Sequence, residues 1–282
     1  MKHQNKKDEA LSPIVAFLLL LMVVVSFISL LNAIYIPSLK QEDEIRHLQS
    51  VQEMFSSLTG DISQMAQFQK DISFQKRMQL GGGAALFSPI TSSGTLQLEQ
   101  KNLLKLVITD GADALSPGEE IEPIPITTVK ISYQPIGNFW VDQGYTWERG
   151  LVSVTKPSKS TWLEYIKNAD AEKAEEFFLK TVFTPHAMTN TTISIYTFTA
   201  DPDSLFRSGN GMSGIDIFIT KKEEKIFDVL KVELQQDVPD PDAEKLRNML
   251  QNIIDAWKEP VYGEGGSTNV IIEIYDIRMR VV

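Results

Sequence analysis

From Leu11 to Leu39 the chain carries no charged residue, and Lys2, Lys6 and Lys7 stand just before this run. No other stretch restricts the fold as strongly. Between Ile14 and Ile36 only Ser26, Ser29 and Asn32 are polar, and as a helix these residues reach roughly 35 Å, more than a hydrocarbon core of about 30 Å. The length reads as a membrane span rather than a buried core helix. After the run come Lys40 and then Glu42, Asp43 and Glu44. Basic flanks stay cytoplasmic while acidic ones contribute little, so the flanks predict a single-pass cell-membrane protein with a cytoplasmic N-terminus and an extracellular C-terminal domain. A cleaved secretory signal has an apolar region of about 7 to 15 residues closed by small residues. This run is longer and ends in Ile34, Tyr35, Ile36 and Pro37.

The segment Lys6-Lys7-Asp8-Glu9-Ala10-Leu11-Ser12-Pro13-Ile14-Val15, leading into the apolar run, resembles the N-terminus of archaeal type IV pilin-like surface proteins. The resemblance covers about the first sixth of the chain. It implies a short charged leader, residues 1–10, removed by a prepilin peptidase between Ala10 and Leu11. Leu11, Ser12 and Pro13 would then open the membrane-anchoring motif, and other pilin-like subunits or further copies of this chain are the implied partners. The residue before Ala10 is Glu9, where the family usually has a basic one. The fifth residue after the implied cut is Val15, not the glutamate of bacterial pilins, so bacterial-style subunit pairing is not carried over.

Beyond the span, Pro37 predicts a bend by removing a backbone donor and crowding the preceding turn. Ile45, Leu48, Val51, Phe55, Leu58, Ile62, Met65, Phe68 and Ile72 then recur at steps of three and four. This is one apolar stripe on a helix assigned to residues 40–80, with Glu44, Arg46, His47 and Gln49 on its polar side. The stripe can dock on the chain's own β-domain or on neighbouring subunits. Gly81-Gly82-Gly83, read as a flexible joint between helix and first strand, favours the second.

Residues 81–282 read as a β-rich extracytoplasmic domain, an antiparallel sheet or sandwich with a few short helices, so the whole chain is α+β. Thr95 to Leu98, Leu103 to Thr109, Thr127 to Tyr133, Thr192 to Phe198, Ile215 to Ile219, Phe227 to Leu234 and Asn269 to Met279 are rich in β-formers or alternate with period two. Phe139, Trp140, Tyr145 and Trp147 form an aromatic group whose commoner fate is burial. Two short helices are expected between Ser160 and Lys180, and another opens at Asp240-Pro241, with Asp240 as N-cap. The closing strand alternates too regularly to be a tail, and its removal should unfold the domain.

Composition narrows the function. Excluding Lys2, Lys6, Lys7, Asp8 and Glu9 leaves 24 basic and 35 acidic side chains, a net charge of −11, which repels nucleic acid and anionic headgroups. No cysteine is present, so neither disulfides nor thiolate metal sites stabilise the exported part. The three histidines, His3, His47 and His186, are too dispersed for a ligand cluster, and no Gly-x-Ser-x-Gly elbow accompanies His186. The Gly81 to Gly83 run lacks the Lys-Ser/Thr of a phosphate loop. Counting an EF-hand from Asp201 puts Leu205, Phe206 and Met212 where donors, glycine and glutamate are needed. No catalytic residue, metal site or cofactor is therefore assigned. Asn190-Thr191-Thr192 is the sole glycosylation acceptor pattern. The leading expectation is a non-catalytic structural or adhesive surface subunit. The alternative is a monomeric anchored ectodomain that binds or hydrolyses a cell-envelope polymer.

Overall fold

The computed structural model describes residues 6–68, 71–82, 91–110, 123–138, 140–157, 159–163, 168–182, 185–187, 191–227, 230–236, 241–261 and 270–282. It is an α+β protein whose N-terminal part is one long helix. Helix α1 (Lys6–Leu30), a π-helical turn (Leu31–Tyr35) and α2 (Ile36–Phe68) follow without interruption. The stretch Pro13–Phe68 covers 56 residues, and its most apolar window has a mean hydropathy of 3.1 and is uncovered by the rest of the protein. That is long and apolar enough to cross a membrane.

The bend expected at Pro37 does not end the helix. The wide turn just before it carries an Ile36 N–H to Leu31 C=O bond five residues back, and such a turn makes room for a proline ring and its missing donor. Asn32 Nδ2 donates to Ile28 C=O at 3.0 Å and Ser38 Oγ to Tyr35 C=O at 2.8 Å, so side chains occupy carbonyls on both sides of the turn.

The helix also stops earlier than its stripe suggests. Residues 72–79, assigned to the helix from sequence, form strand β1 (Ile72–Gln79), paired antiparallel with β10 from Ile72↔Ile219 to Gln79↔Met212. The stripe ran on to Ile72 because one strand residue happened to fall in helical step. The real signal was the alternation of Ile72, Phe74, Lys76 and Met78 along one face.

In chain order there follow β2 (Ser93–Asp110), β3 (Ile124–Ile136), β4 (Gly144–Glu148), β5 (Leu151–Lys156), β6 (Lys159–Trp162), α3 (Asn168–Val182), β7 (Pro185–Ala187), β8 (Thr191–Ala200), β9 (Phe206–Gly209), β10 (Met212–Phe227), β11 (Leu230–Gln235), α4 (Pro241–Val261) and β12 (Val270–Val281). Among the described residues, one helix preceded by strand β6 occupies the region where two short helices were expected. Helix α4 begins at Pro241, as read from sequence; Asp240 lies outside the described residues.

The strands form a five-stranded sheet, β1-β10-β12-β8-β7, and a seven-stranded sheet, β11-β2-β3-β4-β5-β6 with β9 beside β2. The closing strand β12 sits at the centre of the first sheet, antiparallel to β10 and parallel to β8. The parallel pair departs from an all-antiparallel reading. Alternation marks which face of a strand is buried, not the direction of its neighbour.

Both sheets and α2 contribute to one apolar core. The buried stripe settles how α2 packs. Leu48, Val51, Phe55, Leu58, Ile62 and Met65 are all buried in that core, while Ile45 and Phe68 at the two ends of the helical stripe, 42% and 56% exposed, stay outside. The preferred expectation, a stripe reserved for other subunits, is thereby corrected. Helix α2 is instead held by both sheets. Tyr196 on β8 donates its hydroxyl to Ala66 C=O, and Lys76 on β1 meets Asp61 at 2.7 Å. From the other sheet, the Trp147 indole donates to Thr59 Oγ1 at 2.9 Å, and that hydroxyl donates to Gly150 C=O at 2.8 Å.

The joint expected at Gly81 to Gly83 has the opposite character. Gly81 and Gly82 are buried, and a Cβ on Gly81 would lie 2.0 Å from Ser92 C=O. Gly82 donates its N–H to Ser92 Oγ at 2.9 Å and accepts from Ser92 N–H at 2.8 Å. Glycine is required there so that two backbones can touch. Gly83 lies outside the described residues.

Candidate functional site

Strand direction gathers several side chains where α2 enters the domain. Strand β1 runs back along α2 and ends at Gln79, β10 starts opposite it at Met212, and Ser93 at the start of β2 pairs with Ile136 at the end of β3. Beside these ends, Gly82, Tyr133 and Trp140 meet Asp43, Glu44 and His47 of the helix. Glu44, expected on the polar side, is buried, and its carboxylate accepts the Trp140 N–H at 3.1 Å. Gly82 packs against Asp43 and His47. Lys40, only four residues beyond Ile36, is 9% exposed.

His47 is likewise half-buried rather than solvent-facing. Tyr133 donates its hydroxyl to Leu80 C=O at 2.9 Å, so its oxygen accepts from His47 Nε2–H, also at 2.9 Å. This order requires the Nε2–H tautomer when the imidazole is neutral. Burial lowers the His47 pKa from 6.5, against the opposing pull of Asp43 and the Leu80 carbonyl. Burial also raises the Tyr133 pKa, which keeps its hydroxyl a donor.

The pH consequence follows. A depressed folded pKa means that the unfolded chain binds the proton more readily, so His47 contributes stability above about pH 6.5 that is lost as pH falls through the folded value. His47→Gln keeps an amide donor for Tyr133 and removes the titration. Between pH 7.5 and 5 the wild-type melting temperature is expected to fall more steeply than that of His47→Gln; parallel curves would contradict the assignment.

Away from the helix entry, the charged clusters are ion pairs. The β4–β5 hairpin turns through Arg149 and Gly150, with φ of 48° and 80°, the two positive angles of a two-residue type I′ loop. Arg149 Nε then meets buried Glu175 of α3 at 2.5 Å, and Lys245 of α4 meets the same carboxylate at 3.1 Å. Glu175 thus ties the hairpin to both helices. On the first sheet, Asp216 is held by Arg280 at 3.0 Å and by the Gln75 amide. Asp276, fully buried on the central strand, accepts from Thr199 Oγ1 at 2.7 Å and lies 3.5 Å from Lys222 Nζ.

Of the aromatic group, Tyr145 and Trp147 lie in the core, with Trp147 edge-on to Phe178 at 5.8 Å. They offer no groove for a polymer. Trp140 is exposed, and Phe139 lies outside the described residues. An apolar cavity of about 20 Å³ lined by Val129, Trp147, Phe178, Phe198 and Leu246 has room for about one water and no organic ligand. Among the described residues no group of three or more His, Cys, Asp or Glu could hold a metal ion.

Ala10, Leu11, Ser12 and Pro13, the residues of the expected cleavage motif, lie on α1. Asn190 lies outside the described residues, and His186 falls on β7. Sequence reasoning missed Glu44, His47 and Tyr133 as partners, because a buried polar contact leaves no periodic trace. No family model, curated protein or solved structure matches the chain.

Proposed function

We propose that this chain is a pilin-like, membrane-anchored surface subunit without catalytic activity, with its N-terminus in the cytoplasm and its β-rich domain outside. One observation carries the reading: a single helix divides into an apolar half that the described residues leave uncovered and a half locked into the core of a folded domain. A uniformly apolar, uncovered helix needs lipid or the same helix of neighbouring subunits around it. The unbroken connection would transmit a pull on the domain directly to the anchor. Lysines before the apolar run and acids after it support the orientation, and the Leu11-Ser12-Pro13 motif supports assembly after removal of the leader.

Mass spectrometry of the N-terminus of protein isolated from its native membrane tests the processing. A mature chain beginning at Leu11 is the expected result. An intact Met1 would reduce the protein to a plain single-pass anchor.

A further inference from the structure

We infer that the end of the β-domain through which α2 enters rests on the bilayer surface, with Trp140, Ile136 and Met212 placed in the zone between headgroups and acyl chains. This inference rests on the membrane-anchor reading and gives the domain a second contact with the same membrane. The unbroken helix sets the height. The charge-free run closes at Leu39, and at 1.5 Å per residue Glu44 stands only about 7 to 8 Å further along the axis. The headgroup zone on one side of a bilayer is itself about 5 to 8 Å deep.

The domain reaches down to that level. Lys40 is already buried, and the loop after β3 touches the helix where Trp140 N–H meets Glu44. A domain on a free stalk would leave the first turns of α2 bare.

The side chains at this end have the chemistry of an interface. Trp140 is 41% exposed, Ile136 49% and Met212 61%, although each belongs to a strand end or loop anchored in the core. They sit at one end of the domain: Met212 lies opposite Gln79 in the first sheet and Ile136 opposite Ser93 in the second, Leu80 joins the two by donating to Gly211 C=O and accepting from Tyr133, and Trp140 meets the helix four residues beyond Ile136. Indole rings favour the boundary between water and hydrocarbon because one edge is polar and the rest apolar. The acids Glu42 and Asp43 at the same level disfavour anionic headgroups, so the surface suits a zwitterionic or neutral lipid face.

The span contains no tryptophan; the four are Trp140, Trp147, Trp162 and Trp257. Lipid quenching of tryptophan therefore reports only on the domain. The full-length protein is reconstituted into phosphatidylcholine vesicles with either plain acyl chains or chains brominated near the headgroup. The expected result is weaker emission in the brominated vesicles, with that loss abolished in Trp140→Phe. Equal emission in the two vesicles, or a loss that survives in Trp140→Phe, overturns the inference. Protection of Trp140 from both brominated lipid and aqueous acrylamide also overturns it, since a second copy or another protein would then cover this end. Flotation of the same vesicles separates the two readings. Protein that floats unquenched refutes only the docking, whereas protein that does not float refutes the anchor as well.

Discussion

Phe55→Asp is expected to unfold the β-domain of the detergent-solubilised full-length protein. Phe55 has no solvent exposure and lies within 6.1 Å of the Tyr145 ring, between helix and sheet. Losing the ring costs about 3 to 5 kcal/mol. Burying a carboxylate in its place costs several kcal/mol more or forces its protonation. Domains of this kind have a total stability of about 5 to 15 kcal/mol, so the sum approaches or exceeds what is available. Ile45→Asp, one stripe position before Leu48 but exposed, is the control and should change stability by less than about 0.5 kcal/mol. Near-ultraviolet circular dichroism and the emission maximum of Trp147 report the difference. A Phe55→Asp protein with the wild-type melting temperature would show that α2 does not belong to the domain core.

Removing residues 270–282 is expected to be as damaging. Strand β12 supplies the ladder partners of both β10 and β8, so its loss splits the first sheet in two. Ile272, Ile277 and Met279 leave the core with it, each without solvent exposure in the intact protein. At about 2 to 5 kcal/mol for each large aliphatic side chain lost, those three residues alone rival the stability of the domain. The exposed edges of β10 and β8 would also invite strand pairing between molecules. The truncated protein should aggregate or be digested rapidly by added protease. Resistance equal to that of the intact chain would contradict the central placement of β12.

Some of this architecture is a property of the sequence by itself. The run from Leu11 to Leu39 dictates a helix that lipid or other subunits must cover, because no charge interrupts it over a length that exceeds a bilayer core. The α+β class, the start of α4 at Pro241 and the interior position of β12 are local in the same sense. Each depends on propensity, capping or periodicity within one segment, and those forces act on neighbours along the chain. Tertiary structure decided the rest. The stripe of α2 says only that one face is apolar, and whether Phe55 meets Tyr145 or another molecule depends on residues about ninety positions away. Gly81 serves close packing rather than motion because Ser92 happens to lie against it. His47 and Glu44 sit on the side of α2 that looks polar, yet Glu44 is buried and His47 half-buried because Tyr133 and the Trp140 loop come down to meet them. A hydrogen bond or a close backbone contact needs a partner in space, and sequence spacing carries no information about which distant group that partner is.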